Sequence, residues 1–209
     1  MGCYEKNVFC LNPMKLIFAS HNQNKVKEIN SLLEGLVSVY SLNDIGIIEE
    51  IPETGETLKE NSFIKAQACE KITGLNVFAD DTGLEVEALN GEPGVYSARY
   101  AGPEKLAWKN MEKLIFAFSD KSNKKARFVS WICLIINNQT YYFEGELKGT
   151  IISEMKGING FGYDPIFVPE GETRTLAEMS SEEKNNISHR AIALQKMKDF
   201  LRSEIKSIS

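Results

Sequence analysis

Two adjacent carboxylates, Asp80 and Asp81, follow the apolar run "NVFA" and precede Thr82 and Gly83 in the stretch "FADDTGLEVEAL". Acids placed side by side repel unless a cation or a shared proton relieves them. The spacing predicts both at a strand end, where α/β proteins usually keep their sites. There they could hold Mg²⁺ through carboxylate oxygens, with waters and ligand phosphates completing its shell. One acid could bind metal while another orients or deprotonates a water. An exposed Asp-Asp turn is the plainer alternative. A second stretch, "FASHNQNKVKEI", runs from an apolar strand through a short polar turn into a helix. N–H groups and the positive helix end face outward together there, which suits phosphate, and Lys25 adds charge of the right sign. The glycines and Lys-Ser/Thr pair of a Walker A loop are absent. A turn merely capped by Asn22 or Asn24 stays open as an explanation.

Three more stretches carry usable groups. In "ETGETLKENSFIKA", Glu53 sits in a turn ahead of a capped helix and Lys65 falls about two turns into it. Turn acid and helix lysine together suit a metal and a phosphate, although surface charge would account for most of this stretch. In "GINGFGYDPIFVP", three glycines bracket Phe161 and Tyr163. A base stacked on such an aromatic gains roughly 1–3 kcal/mol, and Asp164 before Pro165 could accept from a base edge or from backbone. A tight turn with its aromatics tucked into the core fits equally well. Finally, "SSEEKNNISHRAIALQKM" sets His189 and Arg190 in the first turn of the last helix. The partial positive charge there prefers Asp or Glu. A negatively charged ligand, also met by Lys184, would explain the pair; a solvated accident would too.

Strand-like runs at 15–20, 37–40, 76–80, 126–136, 140–147 and 165–168 are rich in Val, Ile, Phe and Tyr. Helical spacing joins Val26, Ile29, Leu33 and Leu36; Thr57 and Glu60 form a capping box for a helix that stops at Gly74. The stretch "GPEKLAWKNMEKLIFAF" aligns Met111, Leu114, Ile115 and Phe118 on one face, and Ser180 with Glu183 caps a last helical stretch carrying Leu194, Met197 and Leu201. The opening β-α-β-α order predicts an α/β fold. The hairpin joined through "NNQ" makes its sheet mixed.

A chain of 209 residues suits one domain with a cleft between two lobes, and a length of this order buries roughly 70% of the unfolded surface. Net charge is −5, so a nucleic-acid coat or an anionic membrane is not expected as a partner, and an anionic ligand must be met by local Lys and Arg. Cys3, Cys10, Cys69 and Cys133 form no CxxC and read as reduced thiols of a cytoplasmic protein. No apolar run approaches the roughly 18 residues of a membrane span. The first strand begins near Met14, so residues 1–13 read as a weakly ordered extension or a start-site artefact, and residues 14–209 as the functional domain.

Taken in order, "SHNQNKVKE", "ETGETLKENSFIKA", "FADDTGLEVEALNGEPGVYSARYAG", "GFGYDPIFV" and "SSEEKNNISHRAIAL" resemble the inosine/xanthosine triphosphate pyrophosphatases (HAM1-like) from about Met14 to Leu201. The first motif departs from that family's usual Thr-Gly-Asn-x-Gly-Lys at Ser20, His21 and Asn24, while Asn22 and Lys25 are kept. The resemblance implies an elongated two-lobed α/β fold with a central mixed sheet, a nucleotide cleft between the lobes, and a homodimer. It implies Mg²⁺-dependent hydrolysis of ITP, dITP and XTP to monophosphate and pyrophosphate. By the same resemblance, Ser20, His21, Asn22, Gln23, Asn24 and Lys25 cradle phosphates, and Lys65 contacts them. Glu53 and Asp81 hold metal, and Asp81 also accepts the proton of the attacking water, supported by Asp80. Thr82 touches substrate; Phe161, Gly162, Tyr163, Asp164, Lys184, His189 and Arg190 bind the nucleotide, mainly its base. A Maf-like pyrophosphatase with another nucleotide preference and a non-catalytic nucleotide-binding protein are the alternatives.

Overall fold

Six strands form one sheet in the order β2-β1-β3-β4-β5-β6 in a computed structural model that describes residues 14–208, with side chains described as far as Glu204. The expectation about residues 1–13, and with it Cys3 and Cys10, lies outside the described residues. β1 (Met14–Phe18) pairs in parallel with both β2 (Val37–Ser41) and β3 (Val77–Val86). β3, β4 (Lys125–Ile136), β5 (Gln139–Ile151) and β6 (Phe167–Pro169) then run antiparallel, giving the expected mixed sheet. Asn137 and Asn138 turn the β4–β5 hairpin with φ of 50° and 62°. Two left-handed residues in a row match the right-handed twist of the strands, and Asn tolerates that region.

Helices α1 (Gln23–Leu33) and α5 (His189–Ile208) cover one face of the sheet, α1 over the parallel strands and α5 over β4 and β5. Their Val26, Ile29, Leu33, Leu194, Met197 and Leu201 pack on Leu16, Phe18, Phe78 and Ile132. Helix α2 (Leu58–Thr73) covers the other face, where Ala66 and Cys69 meet Ile17, Val77, Ala79 and Cys133. Its start is fixed by the reciprocal Thr57–Glu60 capping box and its end by Gly74 at φ 65°. A third apolar cluster lies toward the far ends of β3, β4 and β5. It gathers Met111, Leu114 and Phe118 of α3 (Ala107–Ala117) with Leu84, Phe128, Ile151 and Phe167. The cleft described below opens between these bodies. Among the described residues no helix is long and apolar enough to cross a membrane, and Cys69 and Cys133 are free thiols in the core.

Four local expectations are corrected. β3 continues to Val86, so Asp80 and Asp81 lie inside a strand; β4 pairs with it as far as Val86 after β1 has stopped at Phe78. Residues 164–166 form a 3-10 turn and β6 starts only at Phe167. α3 begins at Ala107, after Gly102 and Lys105 have taken positive φ. The Ser180–Glu183 box caps a separate short helix, α4 (Ser181–Ile187), which ends at extended Ser188. Ser188 donates its N–H to the Lys184 carbonyl and its Oγ accepts from Ala191 N–H, so one residue closes α4 and opens α5.

Candidate active site

Strand pleating decides what the two neighbouring acids do. Successive side chains point to opposite faces of a sheet, so Asp80 faces α1 and α5 while Asp81 faces α2. Asp80 forms a close ion pair with Lys25 Nζ of α1 and accepts Arg190 Nε of α5 at 3.0 Å. Its Oδ2 also takes Thr82 Oγ1 at 2.8 Å and Ser130 Oγ at 2.9 Å. Burial by itself would raise this carboxyl, but the charges of Lys25, Arg190 and Lys65 outweigh it and hold Asp80 well below the usual range. It stays ionised, and its oxygens are spent on protein donors.

Asp81 has one partner, Lys65 Nζ at 2.7 Å, and the same ammonium lies 2.7 Å from Glu53 Oε1. The other Glu53 oxygen accepts Arg99 Nη1 at 3.1 Å. Two carboxylates thus share one cation, and burial separates them. For Glu53 burial is overcome by Lys65, Lys25 and Arg99, and its pKa falls to about 2. Asp81 is more deeply buried and feels the Glu53 charge, so its pKa rises despite Lys65. Burial alone would depress Lys65, yet Asp81, Glu53 and Asp80 raise it, so it remains an ammonium.

The loop entering α1 carries Asn22 as N-cap, whose Oδ1 accepts from the N–H groups of Asn24 (3.0 Å) and Lys25 (3.2 Å). Asn22 N–H in turn donates to Ser20 Oγ at 3.2 Å. His21 and Gln23 keep backbone N–H groups without protein acceptors among the described residues. No acid stands in this first turn, so the positive helix end is not offset locally.

Across the cleft, α4 and α5 meet the loop after β5. Lys184 Nζ lies 2.8 Å from both Glu28 Oε1 and Asp164 Oδ2. Arg190, 1% exposed, closes on Glu28 as well as Asp80, and its Nη2 reaches Thr82 Oγ1 at 3.2 Å. Lys184 and Arg190 sit over the Phe161 ring, 4.6 Å and 5.6 Å from its centroid. Asp164 also accepts Phe161 N–H at 2.7 Å, and Tyr163 hydroxyl donates to the Ser97 carbonyl at 2.8 Å. The tight Phe161 loop needs Gly160, at φ 73°, because a Cβ there would stand 2.1 Å from Asp164 Oδ2. Helix α5 reaches the sheet because Gly145 of β5 has no side chain: a Cβ would lie 2.0 Å from the His189 carbonyl.

His189 is the outlier. Its ring is 3% exposed and stacks on Phe128 at 4.7 Å and 13°. Among the described residues neither ring nitrogen has a hydrogen-bond partner, a costly state for a buried polar group. Burial, aided by Arg190 and Lys184, holds its pKa well below 6.5, so the ring is neutral and offers one donor and one acceptor.

One cleft of about 890 Å³ unites these groups. Ser20, His21, Asn22, Asn24, Lys25, Glu53, Lys65, Asp81, Thr82, Phe161, Gly162, Tyr163, Asp164, Lys184, His189 and Arg190 all line it. Two expected residues do not: exposed Gln23 on α1, and Asp80, which stands behind the wall holding Lys25 and Arg190. Sequence reasoning missed Glu28, Ser130 and Arg99. Glu28 lies three residues beyond Lys25, nearly one helical turn, and could have been found by asking which α1 positions share its face. Nothing local marks Ser130 or Arg99.

Among the described residues no three His, Cys, Asp or Glu side chains cluster to hold an ion. The Glu53–Asp81 pair nevertheless fits a hard divalent cation. The Lys65 ammonium shows that a positive group fits between them, and two carboxylates suit Mg²⁺, which fills its shell with waters and phosphate oxygens.

Fold and site together define an α/β protein with one cleft lined by cationic, acidic and aromatic side chains. The Ham1 family profile matches residues 16–200, and the chain belongs to that family. It is 52% identical over 188 residues to the dITP/XTP pyrophosphatase of Porphyromonas gingivalis, covering 90% of this chain and 97% of that one. Identity to the dITP/XTP pyrophosphatase of Flavobacterium psychrophilum is 50% over 190 residues, 91% of this chain and all of the relative. The solved HAM1 protein of Coxiella burnetii superposes with a TM-score of 0.84 at 38% identity, over 91% of this chain and 99% of that one.

Proposed function

We propose that this chain hydrolyses ITP, dITP and XTP to the nucleoside monophosphate and pyrophosphate, so removing non-standard purines from the nucleotide pool. The observation that carries the reading is the convergence on one cleft of two unlike ends. One has a carboxylate pair gripped by Lys65, and the other a buried imidazole with both nitrogens unpartnered. The relatives named above, dITP/XTP pyrophosphatases, agree with it.

The triphosphate lies along the α1 loop, where Ser20, the free N–H group of His21, and Lys25 meet its oxygens, while Lys65 approaches from α2. Water attacks the α-phosphorus in line, the bond to the bridging oxygen breaks, and pyrophosphate leaves. Asp81 takes the proton from the water, a role its raised pKa suits better than the low one of Glu53. Mg²⁺ held by Glu53 and Asp81 would neutralise developing charge on the phosphates. Asp80 keeps Lys25 and Arg190 in place.

At the other end the purine stacks on Phe161. His189, Arg190 and neighbouring backbone N–H groups offer donors to a 6-oxo oxygen; a 6-amino group would leave them unpaired in a buried site, which rejects it strongly. Glu28 and Asp164 hold Lys184 and Arg190 against the ring face. We further infer a cytoplasmic homodimer, to be checked by sedimentation. Pyrophosphate release with Mg²⁺ across ITP, dITP, XTP, ATP, GTP, dTTP and UTP tests the assignment. Preference for the first three is expected; a preference for dTTP or UTP, or no release at all, removes it.

A further inference from the structure

Glu53 sits on an arm held by side chains and not by a backbone ladder. Residues 47–57 belong to no helix or strand, and among the described residues 48–54 make no backbone–backbone hydrogen bond. Side chains fix the arm instead: Lys65 and Arg99 at Glu53, Lys105 at Glu50, His21 at Glu49, Asn61 at Gly55, and Ile47 and Ile51 packed on the core beneath α2. Only His21 comes from the loop that opens α1. Its Nε2 donates to the Glu49 carbonyl at 3.1 Å, and its Nδ1, the acceptor nitrogen of that tautomer, faces the Asn43 side-chain amide at 2.8 Å, in the 3-10 turn Asn43–Ile45 just before the arm. One half-buried ring therefore grips the turn before the arm and the arm itself, four residues ahead of Glu53.

We propose that His21 is a positioning residue that fixes the separation between the loop entering α1 and Glu53. This rests on the reading that both contact one triphosphate. A triphosphate spanning loop and carboxylate needs that spacing set beforehand, because ordering a free arm on binding would be charged against affinity. The ring reaches an arm carbonyl, which any residue supplies, so the tie depends on His21 and not on the identity of Glu49.

Two variants separate the bond from the bulk. His21→Phe keeps a ring and loses the hydrogen bond to the Glu49 carbonyl and the polar contact with the Asn43 amide; His21→Gln keeps an amide N–H that can reach the Glu49 carbonyl. Amide hydrogen exchange of residues 46–56 is followed in the full chain without nucleotide or metal, and KM and kcat for dITP are measured beside it. For H21F we expect roughly tenfold faster exchange in that segment and a KM raised roughly tenfold, with kcat changed far less. H21Q should recover much of both. Exchange or KM in H21F equal to the parent overturns the proposal. Should the parent chain release no pyrophosphate, the functional reading fails, while the exchange contrast still decides whether His21 holds the arm.

Discussion

Asp80 and Asp81 are neighbours in sequence and opposites in circumstance. Asp80 faces α1 and α5, is fully paired and stays charged; Asp81 faces α2, has the single partner Lys65 and holds a proton more readily. The difference teaches that one sheet can supply a fully paired carboxylate and one with spare lone pairs beside a cleft from consecutive positions, because pleating sends them into separate environments. A buried carboxylate with every oxygen engaged cannot take up a metal or a water proton without giving up a bond. One with spare lone pairs beside a cleft can.

The contrast breaks most visibly in turnover. Asp81→Asn should lower kcat on dITP by about a thousandfold or more while the melting temperature shifts little, since Lys65 keeps Glu53. Near-normal turnover would strip Asp81 of its role. Asp80→Ala should do the reverse first: Arg190 and Lys25 lose their buried counter-charge, costing about 3–5 kcal/mol in urea unfolding. A variant as stable as the parent would mean Asp80 is not the hub described. Arg190 is bound into the same hub, so its replacement by Ala would confuse selectivity with folding. Phe161→Ala is the cleaner probe of the base end, with a KM for dITP raised by an amount set by about 1–3 kcal/mol of stacking, read by steady-state kinetics.

A smaller effect sharpens the comparison through pH. A His with a depressed folded pKa contributes stability above its unfolded value near 6.5 and loses it as pH falls below that, because only the unfolded ring takes the proton. The ionised acids Asp80 and Glu53 lose theirs only lower, below pH 4. Asp81 and Asp164, with raised values, act in the opposite sense as they take up protons. Melting temperature should therefore decline between pH 6.5 and 5. His189→Phe should abolish that part of the slope and gain about 1 kcal/mol at pH 7 by removing two unpartnered nitrogens, at the expense of activity. An unchanged slope would show that His189 is protonated in the fold.

Local chemistry was readable from the chain. Thr57 and Glu60 close a capping box, Gly74 ends α2, and the Asn pair turns the hairpin, each within a few residues of its partner. The motifs that bear chemistry could be listed for the same reason, and nearly all of them line the cleft. Other features depended on distant segments. β3 runs past Phe78 because β4 accepts it, with Asp81 opposite Trp131. Ser188 breaks what reads as one helix because its side chain can cap the next. The meeting of Glu28 with Lys184 and Arg190 spans more than 150 residues of chain.

Sequence alone determined which residue types were available, the ends of α2, the hairpin turn and the set of cationic, acidic and aromatic groups that a nucleoside triphosphate would need, because these follow from propensities and spacings acting over one or two turns. Tertiary structure alone decided that Asp80 holds the framework while Asp81 faces the cleft beside Lys65, that His189 is buried with no partner among the described residues, and that His21 reaches the arm of Glu53. Burial and charge pairing depend on which surfaces pack together, and no short window of the chain contains that.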